Sequence, residues 1–327
     1  MAIFLHSLLF SMLVSLLFAG GVSAKLAQQE LPSALQTQAD LQTRAEYIMG
    51  TVFKITLENA SPAHFAGAFK ILRAHDEVLS DYDPHSELSR VTPLARRDWT
   101  PVSPILCRAL VQSRYYGLLS QGAFDISIRP LVALWGFKDG QFGVPSAPAI
   151  AHARLATGWH QIGLRQQQTG CSLRLWHPDS ELDFGGIGKG LALDAAADWL
   201  RSQGLTRVAL DAGGSSMRFI GAPSTSPRGW PVQLRGQRDP SLWLRNSALA
   251  SSDHGEQFFE HAGQRYGHIL DPRTAWPVPA REGVTVLSAS ATSADALSTA
   301  LMVLPTAQGD RLANLLAAEV IRREVVF

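Results

Sequence analysis

The densest run of residues suited to chemistry is Leu182-Asp183-Phe184-Gly185-Gly186-Ile187-Gly188-Lys189-Gly190. Its glycines let backbone approach a phosphate closely, and a helix starting there would offer free N–H groups to an anion. Lys189 adds a point charge. The run is not a P-loop, because the spacing fails and no Ser or Thr follows the lysine; the same residues also make a plain glycine turn before a helix. A second run is Ser293-Ala294-Asp295-Ala296-Leu297-Ser298-Thr299-Ala300. Asp295 and Thr299 stand four apart, so a helix puts both oxygens on one face. A carboxylate with a hydroxyl is hard-oxygen chemistry suited to Mg²⁺, which keeps waters and substrate phosphates as its other ligands; the alternative is an acid stabilising a helix N-terminus. Third, His268 precedes the turn Asp271-Pro272-Arg273-Thr274, as a general base or as a hydrogen-bonded strand-end residue. Tyr82 could stack on a planar ligand or simply pack. Asp211-Ala212-Gly213-Gly214 is a strand end with a glycine turn.

These residues need elements to carry them. Alternation and β-branching across Tyr47–Leu57 predict a strand, and Ser61-Pro62 opens a helix running to about Leu79. Asp81–Ser86 reads as a loop, and a helix follows over about Pro104–Gln121. Strands are expected at Leu173–His177, Arg207–Asp211, Met217–Ile220, Trp230–Leu234, Leu249–Ser252, Gln264–Ile269 and Val284–Leu287. Helices are expected at Gly190–Gln203, Ser293–Val303 and Ala307–Leu316. Strands cluster at hairpin spacing in the second half while helices interrupt the first. That is an α+β pattern of mixed, largely antiparallel sheets with packed helices.

A net charge of +1 and the lack of any Lys/Arg-rich run exclude a nucleic-acid binder. A phosphate-bearing ligand must then be held by local charge or a metal. Ile3–Ala19 is almost wholly apolar and is followed by Gly20-Gly21-Val22-Ser23-Ala24, whose last three residues fit a signal-peptidase site. Residues 1–24 therefore read as a secretory signal, which implies a periplasmic protein with no stable membrane span after cleavage; an uncleaved anchor is the alternative. Residues 25–44, rich in Gln, Ala, Ser and Thr, read as a flexible tether, and residues 45–327 as the folded part, one large domain or two closely joined halves. Cys107 and Cys171 are the only cysteines, and their separation does not specify a pairing.

Taken together and in order, these pieces resemble the ApbE family of FAD:protein FMN transferases over about residues 45–305. The matching segments are Met49-Gly50-Thr51, Ser80–Arg90, Gly122–Asp125 with Pro130-Leu131 and Trp135-Gly136-Phe137, Asp183–Gly190, Asp211–Gly214, His268–Thr274 and Ala294–Ala300. The resemblance implies an ApbE-like fold and a reaction in which FMN passes from FAD to a Thr or Ser hydroxyl of an acceptor flavoprotein, with release of AMP. It implies that Met49, Tyr82, Ala123, Phe124, Asp125, Asp183, Lys189 and Ile269 line the FAD site. It also implies that the Gly186 carbonyl, Asp295 and Thr299 hold Mg²⁺ and that His268 is the base. The chain departs from the family pattern at Thr92, Gly267, Ala275 and Ser251–Glu256; none is a metal ligand by the resemblance, and the departures bear on loop geometry near the substrate and on partner choice. An FAD pyrophosphatase using water, or a flavin-binding or delivery protein, would fit much of the same set.

Overall fold

The first ordered segment of this computed structural model turns back on itself at Met49-Gly50. The structure describes residues 40–324 apart from 169, 235–238, 256, 280 and 281, so the expected signal and residues 25–39 of the expected tether lie outside it. Where the sequence pattern reads as one strand over Tyr47–Leu57, there are two, Leu41–Ile48 and Thr51–Glu58, paired from Ile48↔Thr51 to Leu41↔Glu58. Met49 at φ +50° and Gly50 at φ +72° are both left-handed, as a two-residue hairpin turn matching strand twist requires. The Met49 N–H donates to Asp76 Oδ2 at 3.0 Å, which helps hold a non-glycine residue there. Residues 41–44, read from the sequence as tether, thus belong to an edge strand. Most of that strand is exposed, so it carries little apolar alternation to betray it.

Seven antiparallel strands form the main sheet, ordered Leu41–Ile48, Thr51–Glu58, Val208–Ala212, Ser216–Ile220, Ala248–Ser252, Glu282–Ser288 and Glu319–Glu324. Alternate residues Phe53, Ile55 and Leu57 are fully buried, as the two-residue period of a half-covered sheet dictates. They meet Phe65, Phe69 and Leu72 of the helix Pro62–Leu79 and Leu193 and Leu200 of the helix Gly188–Ser202. The helix Ala291–Val303 packs into the same core through Leu297 and Leu301. Each such side chain contributes about 1.5–3 kcal/mol by leaving water. The mixed helix and antiparallel-sheet architecture read from the sequence is therefore present.

A second core joins the helices Glu87–Ala95 and Pro104–Leu119 to a three-stranded sheet of Thr100–Val102, Gly170–Leu175 and Ile162–Gln167. The helix Glu87–Ala95 has no counterpart in the sequence pattern, since Pro93 lies inside it; Ser86 Oγ caps it by accepting from the Ser89 N–H at 3.0 Å. Cys107 and Cys171 form a disulfide, Cα atoms 5.5 Å apart, between the Pro104 helix and this sheet. A third cluster surrounds Trp135, whose Nε1 donates to the Ala275 carbonyl at 3.0 Å among Phe259, Tyr266 and Trp276. No described helix is long and apolar enough to cross a membrane.

The Gly188 and Ala291 helices approach so closely at Gly190 that a Cβ there would sit 2.4 Å from the Ala291 carbonyl oxygen and 2.7 Å from Thr292 Cα. That contact is with backbone, which has no rotamer to give way. Gly190→Ala should therefore lower the unfolding midpoint in urea, the overpacking cost of about 1–3 kcal/mol exceeding the gain of about 1 kcal/mol from a better helix former. An unchanged or raised midpoint would show that the two helices can separate freely.

Candidate active site

The close approach at Gly190 is fixed from both sides by carboxylates. Asp194, one turn into the Gly188 helix, accepts from the Ala291 and Thr292 N–H groups at 2.9 and 2.8 Å and from the Ser290 and Thr292 hydroxyls at 2.8 and 2.7 Å. Arg218 Nε pairs with the same carboxylate at 3.1 Å. In return Asp295, one turn into the Ala291 helix, accepts from the Gly190 N–H at 2.9 Å and from Ser216 Oγ at 3.0 Å. Each acid satisfies the free donors of the other helix and lies at the positive end of its dipole.

Around this latch the structure assembles oxygen donors. Asp295 is 5% exposed and has no ion-pair partner among the described residues. A Cβ on Gly186 would lie 3.0 Å from Thr299 Oγ1, so the glycine-rich loop and the Ala291 helix face each other there. Asp295, Thr299 and the Gly186 carbonyl are hard oxygen donors, and a buried carboxylate with spare lone pairs and no cation suits Mg²⁺. No cluster of three or more His, Cys, Asp or Glu exists among the described residues, so such an ion would owe its remaining ligands to water and substrate. Lys189 is half-buried in the first turn, with Nζ 3.4 Å from the Gly185 carbonyl.

Asp183 enters the glycine-rich loop half-buried, accepting from the Gly185 N–H at 2.6 Å. Burial pushes its carboxyl above the usual range, and the nearby Asp81 adds to this against Arg129 and Lys138. Asp81 itself pairs with Arg129 and with Lys138, the latter at 3.0 Å. Tyr82 is 67% exposed rather than packed, with Lys138 Nζ 3.7 Å from the centre of its ring. Lys138 covers one face of the ring, and the exposure of the rest leaves aromatic surface on which a planar group could stack.

The remaining expected residues are placed as follows. Ala123 and Phe124 are buried, and the Phe124 ring edge would lie 3.1 Å from a Cβ on Gly186. Asp125 is buried too, and its Oδ1 accepts from the Ser127 N–H and hydroxyl at 2.8 and 2.7 Å, so it caps the turn that follows; burial raises its pKa. Ile269 is buried and holds the Val278 N–H with its carbonyl at 2.9 Å. Met49 sits in the hairpin turn, where Thr51 packs on Gly213 and Gly213 N–H donates to Val52 O at 3.0 Å. His268 follows the strand Gln264–Gly267, and its Nδ1 lies 3.1 Å from the Gln257 carbonyl. A carbonyl only accepts, so Nδ1 carries the proton and Nε2 is left as the basic nitrogen. The sequence pattern did not single out Ser216, Arg218, Asp81, Arg129, Lys138 or a capping role for Asp194. Arg129 and Lys138 lie 48 and 57 residues along from Asp81, and no local spacing links them.

Residues 49–321 match the ApbE family. The chain is 30% identical over 290 residues to the FAD:protein FMN transferase of Rhodobacter capsulatus, covering 85% of this chain and only 54% of that protein. It is 30% identical over 268 residues to one of Klebsiella pneumoniae, covering 78% of this chain and 76% of that one. Among solved structures, the flavin transferase ApbE of Vibrio cholerae superposes with a TM-score of 0.77 at 27% identity, covering 87% of this chain and 93% of that chain. The apo flavinyl transferase ApbE of Pseudomonas stutzeri gives 0.77 at 28%, covering 88% and 92%.

Asp183 offers a test of the charge arrangement. Its pKa is raised above 3.8, so between that value and its native pKa the folded chain binds more protons than the unfolded one. Stability contributed by the neutral form is complete below that window and is lost as pH rises through the native pKa. Asp183→Asn keeps the acceptor for Gly185 and removes the charge. Its melting temperature should exceed the parent's at pH 7 and converge with it below about pH 4. A constant difference across pH would refute the assignment.

Proposed function

The chain belongs to the ApbE family, and we propose that it is an FAD:protein FMN transferase that moves FMN from FAD to a Thr or Ser hydroxyl of an acceptor flavoprotein, releasing AMP. The observation that carries the reading is the joint likeness to such transferases in sequence and in fold. In the reaction the acceptor oxygen bonds to the FMN-side phosphorus while that phosphorus loses its bridging oxygen to AMP, and the hydroxyl proton goes to Nε2 of His268. The Gln257 carbonyl supports this role by holding Nδ1–H. Lys189 offers positive charge to the pyrophosphate, and the exposed ring of Tyr82 offers a stacking face for a planar ring of FAD. Asp295, Thr299 and the Gly186 carbonyl would hold Mg²⁺. When bound, Mg²⁺ supplies neutralising charge to the pyrophosphate and the departing phosphate.

Purified protein incubated with FAD, Mg²⁺ and a candidate acceptor should raise the acceptor's mass by one FMN phosphoryl unit and release AMP, and excess chelator should stop both. His268→Ala should bind FAD nearly as tightly while acceptor labelling falls about 10²–10⁴-fold. Free FMN in place of labelled acceptor would point to water as the nucleophile. Affinity and stability falling together in the variant would make His268 structural.

The proposal extends to location: residues 1–24 direct export to the periplasm. The Cys107–Cys171 disulfide supports this, because such bonds persist in oxidising compartments. The exported chain should begin at Lys25 on N-terminal sequencing; a start at Met1 would refute cleavage.

A further inference from the structure

His254 is a buried histidine that the reaction above does not use. It is 1% exposed, and neither ring nitrogen makes a well-aligned hydrogen bond among the described residues, although the Pro279 carbonyl lies near the ring. Burial, with the neighbouring His268 adding to it, brings its pKa down to about 4, and weaker influences from Asp253 and the Pro279 carbonyl do not offset that. The ring is therefore neutral at working pH. Its seat is Gly267: a Cβ at that position would lie 2.4 Å from His254 Nδ1 and 3.3 Å from Cγ. With only the weak influence of the Pro279 carbonyl beside it, the ring is set chiefly by its fit against the bare backbone of Gly267.

The seat matters because of what lies on either side. Gly267 ends the strand Gln264–Gly267 and pairs with Phe258, and His268 is the next residue. Gln257 precedes Phe258, and its carbonyl accepts from both the backbone N–H and Nδ1 of His268, each at 3.1 Å. On the other side of His254, Ser252 Oγ meets Ser298 Oγ at 2.9 Å, one residue from Thr299. Gln257 and His268 thus flank the Phe258–Gly267 pair, so what seats Gly267 bears on how the Gln257 carbonyl meets His268.

We propose that His254 is a positioning residue for His268: seated on Gly267, its ring keeps the Gln257 carbonyl on Nδ1 and so leaves Nε2 free to take the proton. A core histidine that merely fills space would act on stability alone. Here the ring acts through its neighbour's tautomer, and one methyl group at residue 267 would unseat it. The inference rests on reading His268 as the base, and the two can fail separately.

The test compares Gly267→Ala, His254→Ala and the volume-keeping His254→Phe in the full exported chain. Imidazole ¹⁵N shifts of His268 report the tautomer without turnover, and FAD affinity and acceptor labelling are measured beside them. Gly267→Ala and His254→Ala should shift His268 away from the Nδ1–H form and slow labelling by about 10–100-fold, with FAD affinity unchanged. His254→Phe should keep both the tautomer and a rate within a few-fold of the parent. An unchanged tautomer in folded Gly267→Ala overturns the proposal, and so does a His254→Phe that loses the rate with its tautomer intact. If His268→Ala labels at the parental rate, the base assignment falls whatever the shifts show.

Discussion

Two carboxylates exchanged between the starts of two helices hold this site in place. Asp194 closes the N-terminus of the Ala291 helix with four hydrogen bonds, and Asp295 closes the Gly188 helix through Gly190. Hydrogen bonds to an ionised acceptor are each worth about 1.5–3 kcal/mol, so this exchange outweighs the surface ion pairs elsewhere in the chain, such as Arg201–Asp198. It also sets the positions of what lies beside it. The glycine-rich loop is carried in by the Gly188 helix, Thr299 stands one turn beyond Asp295, and Ser216 and Arg218 of the central sheet are drawn to the two acids. The glycine at residue 190 is the steric condition for all of it.

Three carboxyls of the chain sit in an unfavourable medium. Asp125, Asp183 and Asp211 are all pushed towards their neutral forms by burial, and Arg129, Lys138 and Lys54 only partly offset this. Holding ionised carboxylates there costs stability at neutral pH. Groups fixed in advance need little rearrangement when charge develops on a transferring phosphoryl.

What the sequence disclosed follows from the range of the interactions involved. The helix starting at Pro62 was legible because Ser61-Pro62 and the apolar spacing after it act within a few residues. Asp295 and Thr299 were legible as a pair because four residues is one helical turn. The Met49-Gly50 hairpin was not, since a methionine in left-handed backbone contradicts local preference and is stabilised by Asp76, 27 residues away. Nor was the capping role of Asp194, whose partners lie 96 to 98 residues further on. Phe124 and Ile269, which the family resemblance assigns to the FAD site, are buried, and the Phe124 ring lies against Gly186 of the glycine-rich loop. Pairing of Cys107 with Cys171 likewise waited on the packing of the Pro104 helix against its sheet.

That disulfide makes a covalent ring of the chain from Cys107 to Cys171, a sequence separation of 64 residues. The ring contains Phe124, Asp125, Arg129, Trp135 and Lys138, so much of the scaffold behind the Tyr82 platform is enclosed by a single closed contour. On a chain-entropy account, closing a loop of that length removes about 4 kcal/mol of freedom from the unfolded ensemble. In a reducing milieu the same polypeptide would keep every hydrogen bond of the latch and lose this constraint. The protein therefore carries a measure of its surroundings in its own stability: an oxidising milieu completes it, and a copy held elsewhere remains an easier target for unfolding and proteolysis.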